Sequence, residues 1–240
     1  MDNYTRLTEG LKKYKAETSC KGVVLGISGG KDSTAVAMLL KKVWGDNVVG
    51  VIMPNGDQKD LSDCLEIVKT LNLKNYVINI KDTVDSIITS SPVKLTDKAK
   101  SNIPPRVRMT TLYSIAQTLG YQVAGTGNLS ERYIGWTTKW GDSAYDFNPI
   151  GKITCSMVVE LGKQLCKEFG LDEKYVLKTP ADGLTGKTDE ENFGFTYQKL
   201  DKALIWGYMT ETPEDVEALV KIKKMHKESE HKRKMPTIIW

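Results

Sequence analysis

The stretch Val23-Val24-Leu25-Gly26-Ile27-Ser28-Gly29-Gly30-Lys31-Asp32-Ser33-Thr34 decides the fold. An apolar run stops at a turn of glycines and hydroxyls. Helical spacing then begins at once, in Ala35, Val36, Met38, Leu39, Leu40, Val43 and Trp44. That order is strand, loop, helix. Such a turn aims backbone N–H groups and a helix N-terminus at one point, which suits a phosphate or pyrophosphate. Gly29 and Gly30 permit close backbone approach and positive φ, and Ser28 and Ser33 add hydroxyl donors. Asp32 repels phosphate directly, so its presence implies a divalent cation between the two. A P-loop is excluded, because Asp32 stands where it needs Ser or Thr and Leu25 where it needs Gly. The dinucleotide fingerprint fails on the spacing of Gly26 to the Gly29-Gly30 pair.

Outward from this stretch, strand-like runs recur at 22–28, 48–54, 76–80 and 121–126, separated by helical patterns at 34–44, 61–71 and 107–119. Alternation of this kind predicts an α/β fold, a doubly wound parallel sheet flanked by helices. Ligands bind beyond the carboxyl ends of the strands in such sheets. Two of those ends carry chemistry, Ser28 to Asp32 after the first strand and Gly125 to Glu131 after the fourth. Residues 82–102 read as a polar connection, and Pro104 and Pro105 suit the first turn of a helix. Residues 127–151 read as a long aromatic loop with a functional role. Patterns at 158–169 and 197–209 read as helices, and the acid- and glycine-containing segment 179–192 between them as a mobile flap. The tail 226–240 carries the basic run His231-Lys232-Arg233-Lys234.

With 240 residues, 40% hydrophobic and 27% charged, the chain is read as a single globular domain, 1–240. A net charge of +4 is too small to argue for nucleic acid. No apolar run approaches the roughly 20 residues of a membrane span, and the polar N-terminus lacks a signal-peptide core. Cys20, Cys64, Cys155 and Cys166 have no metal-site spacing, and a chain this long needs no disulfide framework, so reduced thiols and a cytoplasmic location are expected. With only His226 and His231, a multi-histidine metal centre is excluded.

Ser-Gly-Gly-x-Asp-Ser resembles the pyrophosphate loop of the ATP pyrophosphatases, which have an adenine nucleotide alpha hydrolase-like, Rossmann-like fold. The further segments are Asn102-x-x-x-Arg106-x-Arg108-Met109 with Tyr113, Gly125 to Glu131, and Gly135 to Thr138 with Lys139-x-Gly141-Asp142. They continue with Asn148-Pro149-Ile150-Gly151, Lys187-Thr188-Asp189-Glu190 with Gly194 and Tyr197, and His231 to Pro236. In this order they resemble the ammonia-dependent NAD synthetases over almost the whole chain. The resemblance implies ATP-dependent amidation of deamido-NAD by ammonia through an adenylated carboxylate, giving NAD, AMP and pyrophosphate. It implies ATP contacts at Gly26, Ile27, Ser28, Gly29, Gly30, Lys31, Asp32, Ser33, Thr126, Cys155 and Ala181. It implies deamido-NAD contacts at Arg106, Lys139, Asp146, His231 and Lys232, and Mg2+ ligands at Asp32 and Glu131. Ser28, Lys31, Ser33 and the metal would stabilise the transition state, with no protein nucleophile. A homodimer is implied, with no nucleic-acid or membrane partner.

Three positions depart from the family pattern. Lys31 stands where many members carry an apolar or amide residue, Cys155 where many carry a phosphate-contacting Lys, and Ala181 where many carry Ser or Thr. Lys31 or Lys152 is expected to supply the charge missing at Cys155. The chain has no room for a glutaminase domain and lacks histidines for a Cys–His pair outside the tail, so free ammonia is the expected nitrogen source. A different acceptor, as in GMP synthetase-like or tRNA-modifying relatives, and a nucleotide sensor without turnover are the competing readings.

Overall fold

The computed structural model describes residues 2–57, 60–180, 186–207 and 212–239. Its elements run α1 (Asn3–Thr18), β1 (Val23–Gly26), α2 (Lys31–Trp44), β2 (Val48–Ile52), α3 (Leu61–Thr70), β3 (Lys74–Val77), α4 (Lys81–Thr89), α5 (Asp97–Ser101) and α6 (Ile103–Leu119). They continue with β4 (Gln122–Val123), α7 (Leu129–Ile134), α8 (Cys155–Phe169), α9 (Lys174–Leu177), α10 (Asp189–Phe193), α11 (Tyr197–Trp206) and α12 (Pro213–Glu228). A single 3-10 turn, Glu230–Lys232, follows.

The four strands are parallel in the order β3-β2-β1-β4. Val23 pairs with Val48 on one side and with Gln122 on the other, which sets the ends of β1, β2 and β4 along one edge. The sheet extends past β4 through a bridge between Ala124 and Phe147. Alternation along the strands assigns each side chain to a face. Val23, Leu25, Val48 and Ile52 enter a core shared with α1, α2, α3 and α8. Val24, Val49, Val51 and Val123 enter a second core with Ile80, Val84, Ile103 and Ala116 of the α4 and α6 layer. A third cluster, Ile134, Phe193, Phe195, Tyr197, Leu200, Ala218 and Ile222, joins α7, α10, α11 and α12 beyond the carboxyl edge of the sheet. Central helix α2 is buried on nearly every side, which explains its small residues Ala35 and Ala37 between larger ones.

The doubly wound parallel sheet is as the sequence predicts, with differences at particular elements. The third strand lies at Lys74–Val77 rather than 76–80. Beyond it the backbone still follows β2, Ile78 N donating to Ile52 O at 2.9 Å and Ile80 N to Pro54 O at 2.8 Å, while both side chains turn to the second core and Ile80 caps α4. Residues 82–102 hold two helices. Val84, Ile87 and Ile88 lie at helical spacing, and the Thr96 hydroxyl accepts from Ala99 N at 3.2 Å to start α5. The long loop expected at 127–151 begins with a helix, α7, because Asn128 and Glu131 form a reciprocal capping box. Helix α11 ends at Trp206, where Gly207 takes the left-handed conformation; residues 208–211 lie outside the described set. Pro104 and Pro105 do sit in the first turn of α6.

Candidate functional site

The loop after β1 is built largely by its own side chains. Ser28 N donates to Ser33 Oγ at 3.2 Å, the two hydroxyls lie 2.9 Å apart, and Gly30 N donates to Ser28 Oγ at 3.3 Å. Ser33 Oγ donates to Gly30 O at 3.1 Å, and Thr34 Oγ1 to the same carbonyl at 2.8 Å. Gly29 has φ +76°, which favours glycine, and a Cβ there would also crowd Cys64 Sγ at 3.3 Å. Gly30 is the N-cap of α2 and has no side chain to occupy the first-turn N–H groups. Those donors, and the helix dipole behind them, point to the carboxyl edge where an anionic ligand would sit.

Lys31 and Asp32, the next two residues, meet the loop after β4. Lys31 Nζ donates to Asp32 Oδ2 at 2.7 Å and lies 3.9 Å from Glu131 Oε1. The side chain is only 4% exposed, and its ammonium rests 5.4 Å from the centroid of the Tyr197 ring. Burial works to lower the Lys31 pKa, but the charges of Asp32 and Glu131 outweigh it and raise the value above the usual lysine range. Burial and the charge of Asp32 hold Glu131 above the usual carboxylate range, against the pull of Lys31. Asn128, fully buried, ties the two loops together, its Nδ2 donating to Asp32 Oδ1 at 3.0 Å. Its backbone N donates to Glu131 Oε2 at 3.3 Å.

The outer wall of this cluster comes from α8, α10 and α11. Cys155, the first residue of α8, is buried, and burial pushes its thiol up to about 12. Tyr197 turns its hydroxyl away from Lys31 to donate to Asp189 Oδ2 at 2.9 Å, and Trp136 Nε1 donates to Asp189 Oδ1 at 3.2 Å. Buried Asp201 holds the start of α8, accepting from Ser130 Oγ and, at 2.7 and 2.6 Å, from Ser156 N and Oγ. Ser130 Oγ in turn accepts from Cys155 N at 3.0 Å.

Asp32 and Glu131, assigned by resemblance to a metal, are brought together. Two carboxylates suit a hard cation, but an ammonium already stands between them and Asn128 bonds to both residues. Among the described residues, no group of three or more His, Cys, Asp or Glu side chains is placed to hold a metal ion. As arranged, the pair does not fit Mg2+. Of the two lysines expected to replace the charge missing at Cys155, Lys31 lies near that thiol, which feels its charge, whereas Lys152 is exposed.

Gly26 ends β1, Ile27 follows it, and Thr126 stands half-buried beyond β4. Ala181 lies outside the described residues, as does 182–185 of the expected flap. The base of that segment is closed by Asp189 N donating to Pro180 O at 3.0 Å. Lys178, just before it, pairs with Asp60 and, at 2.8 Å, with Asp63 at the start of α3.

The residues matched to deamido-NAD form a different environment. Arg106 is exposed and donates through Nε to Lys139 O at 3.3 Å, which docks the 137–142 loop on α6. Thr138 Oγ1 strengthens that docking by donating to Asn102 Oδ1 at 2.6 Å. Lys139 Nζ lies over the Trp140 ring, 5.5 Å from its centroid. Lys232 Nζ donates to Gly135 O and Thr137 O, each at 2.7 Å, which leaves one of its three N–H groups for a ligand. Asp146 accepts from Val123 N at 2.7 Å and Tyr113 OH at 3.3 Å, so it also completes the open side of β4. His231 is exposed, its Nδ1 3.1 Å from Glu228 O.

Asn128, Asp189, Tyr197 and Asp201 carry positioning roles that sequence reasoning left unassigned. The Asn-x-x-Glu spacing of a capping box signals Asn128. No local signal marks Asp201, whose partners Ser130 and Ser156 are 71 and 45 residues away.

The parallel sheet and the loop at its carboxyl edge define the class, a nucleotide-using α/β enzyme of the adenine nucleotide alpha hydrolase type. A family described as NAD synthase matches residues 3–236. An NH(3)-dependent NAD(+) synthetase of Carboxydothermus hydrogenoformans is 38% identical over 97% of this chain and 95% of its own length. One of Pyrococcus furiosus is 38% identical over 98% and 94%. Among solved structures, an NMN synthetase from Francisella tularensis superposes with TM-score 0.89 at 33% identity, covering 99% of this chain and 97% of that one. An NH3-dependent NAD synthetase from Campylobacter jejuni gives TM-score 0.81 at 30% identity, covering 100% of both. The chain belongs to the NAD synthase family, whose members are ligases that use ATP.

Proposed function

We propose that this chain amidates deamido-NAD with ammonia at the expense of ATP, releasing NAD, AMP and pyrophosphate. The observation that carries the reading is the Ser28 to Ser33 turn, whose open helix N-terminus lies against buried Lys31 and its half-buried partners Asp32 and Glu131. Family membership supports the choice of reaction.

A nicotinate carboxylate is a poor acyl donor because an oxide ion does not leave when ammonia attacks. One carboxylate oxygen therefore bonds to the α-phosphorus of ATP while the bond from that phosphorus to the β-bridging oxygen breaks. Pyrophosphate departs. Ammonia then adds to the acyl carbon, AMP leaves with the transferred oxygen, and the surplus proton passes to solvent. Protein groups act by position and charge. First-turn N–H groups of α2 receive the charge that grows on pyrophosphate, and the Ser28 and Ser33 hydroxyls, which brace the turn, join them once released from one another. The buried Cys155 thiol supplies a wall rather than a nucleophile. Arg106, Lys139, His231 and the remaining N–H of Lys232 are proposed to receive the anionic acceptor. ATP is proposed to enter with Mg2+ on its own phosphates. A homodimer and a cytoplasmic location are proposed with the family reading; unpaired, buried Cys20, Cys64, Cys155 and Cys166 support a reducing compartment.

Likeness to the Francisella NMN synthetase favours one second reading, amidation of the corresponding mononucleotide. One assay tests both. The protein is incubated with ATP, Mg2+ and ammonia and with either deamido-NAD or nicotinate mononucleotide, and NAD or NMN, AMP and pyrophosphate are measured. Equimolar NAD, AMP and pyrophosphate, with glutamine unable to replace ammonia, is expected. A higher kcat/KM for the mononucleotide transfers the proposal to the second reading. AMP without either amide overturns both.

A further inference from the structure

Lys31 is a cation at the first position of a helix, where the macrodipole favours anions. It is also buried, which lysines rarely are unless paired. Something specific must therefore hold it, and the structure shows what. Asp32 Oδ2 accepts its proton at 2.7 Å, Glu131 Oε1 stands at 3.9 Å, and the Tyr197 ring faces it at 5.4 Å. Tyr197 can present that ring face because its hydroxyl is bonded to Asp189 on the far side. Asn128 fixes the geometry from behind by donating to both carboxylates. The neighbouring exposed lysine, Lys152, has no part in the cluster.

We infer that Lys31 is the resident cation of the Asp32 and Glu131 pair, neutralising it in the free enzyme and closing it to divalent ions. Two carboxylates brought together beside a buried aspartate need positive charge. An ammonium tethered one residue from Asp32 supplies it without any ion from solution. A divalent ion entering the same position would meet a fixed like charge within about 4 Å, a repulsion large at any dielectric below that of water. The inference rests on the proposed function for the importance of this pair, but its test does not use the reaction.

Mn2+ is titrated into the nucleotide-free protein, and binding is followed as loss of the free-ion EPR signal. Wild type is expected to hold no Mn2+ that Glu131→Gln removes. Lys31→Gln is expected to take up one Mn2+ per chain at least about tenfold more tightly than wild type, and the Lys31→Gln, Glu131→Gln double variant to lose it. A wild-type site abolished by Glu131→Gln, or no gain in Lys31→Gln, overturns the inference. Should Lys31→Gln fail to fold, the wild-type and Glu131→Gln titrations decide alone. NAD formation by the same preparation is scored separately. Exclusion of Mn2+ without NAD formation overturns the proposed reaction and leaves the role of Lys31. NAD formation with Mn2+ held by the wild-type pair does the reverse.

Discussion

Around the Ser28 to Ser33 loop, buried Lys31 pairs with Asp32 and faces Glu131, both of them half-buried. Along the rim the Arg106 and His231 side chains are exposed, the Lys139 ammonium lies over the Trp140 ring, and Lys232 bonds to backbone carbonyls. The inner cluster has its geometry before any ligand arrives. The rim keeps donors in hand, as Lys232 does with its third N–H. Preorganised groups act where charge develops during reaction, whereas rim contacts that are equally good in the ground and transition states govern KM. On the proposed reaction, the contrast would give catalysis to the inner cluster and recognition of the acceptor to the rim.

The contrast breaks most readily at Asp32. Asp32→Asn keeps the shape but removes the charge that holds Lys31, and kcat for NAD formation should fall by at least about a hundredfold. A change confined to KM would move Asp32 to the recognition side. Stability should show the same division. Asp201→Ala strands the donors of Ser130 and Ser156 and should cost about 3 kcal/mol in urea unfolding. The expectation for Lys139→Ala is a change within about 0.5 kcal/mol, because its ammonium rests only on the exposed Trp140 ring. Kinetics of Lys139→Ala and His231→Ala should sharpen the comparison further, with KM for deamido-NAD up about tenfold and KM for ATP unmoved. The smallest effect belongs to Cys155. With its thiol pushed up to about 12, N-ethylmaleimide at neutral pH should leave it unmodified in the folded protein, as read by intact mass.

The inner cluster was the more legible half in the sequence, and the reason is distance along the chain. Ser28, Gly29, Gly30 and Ser33 bond among themselves, so their spacing states their geometry. Gly125 to Glu131 was legible as a second strand end, although its capping box and the helix that box starts were read as loop. Alternation placed the sheet, but the third strand begins two residues before the apolar run, at Lys74 and Asn75, which are exposed and polar and so give no strand signal. Asp201 and the ring of Tyr197 were not legible as parts of the site, since their partners come from α2, α7 and α8 and meet them only after the third hydrophobic cluster forms. Lys31 was legible as an anomaly and its neighbours were not: nothing local announces that the ammonium lies between two carboxylates.

The central claim is that this site joins a carboxylate oxygen to the α-phosphorus of ATP before ammonia attacks. Deamido-NAD labelled with 18O in both nicotinate carboxylate oxygens tests it directly, with mass spectrometry of the products after complete turnover. The account predicts one 18O in AMP, one in the amide of NAD and none in pyrophosphate. Label in pyrophosphate, or AMP free of label, would contradict it.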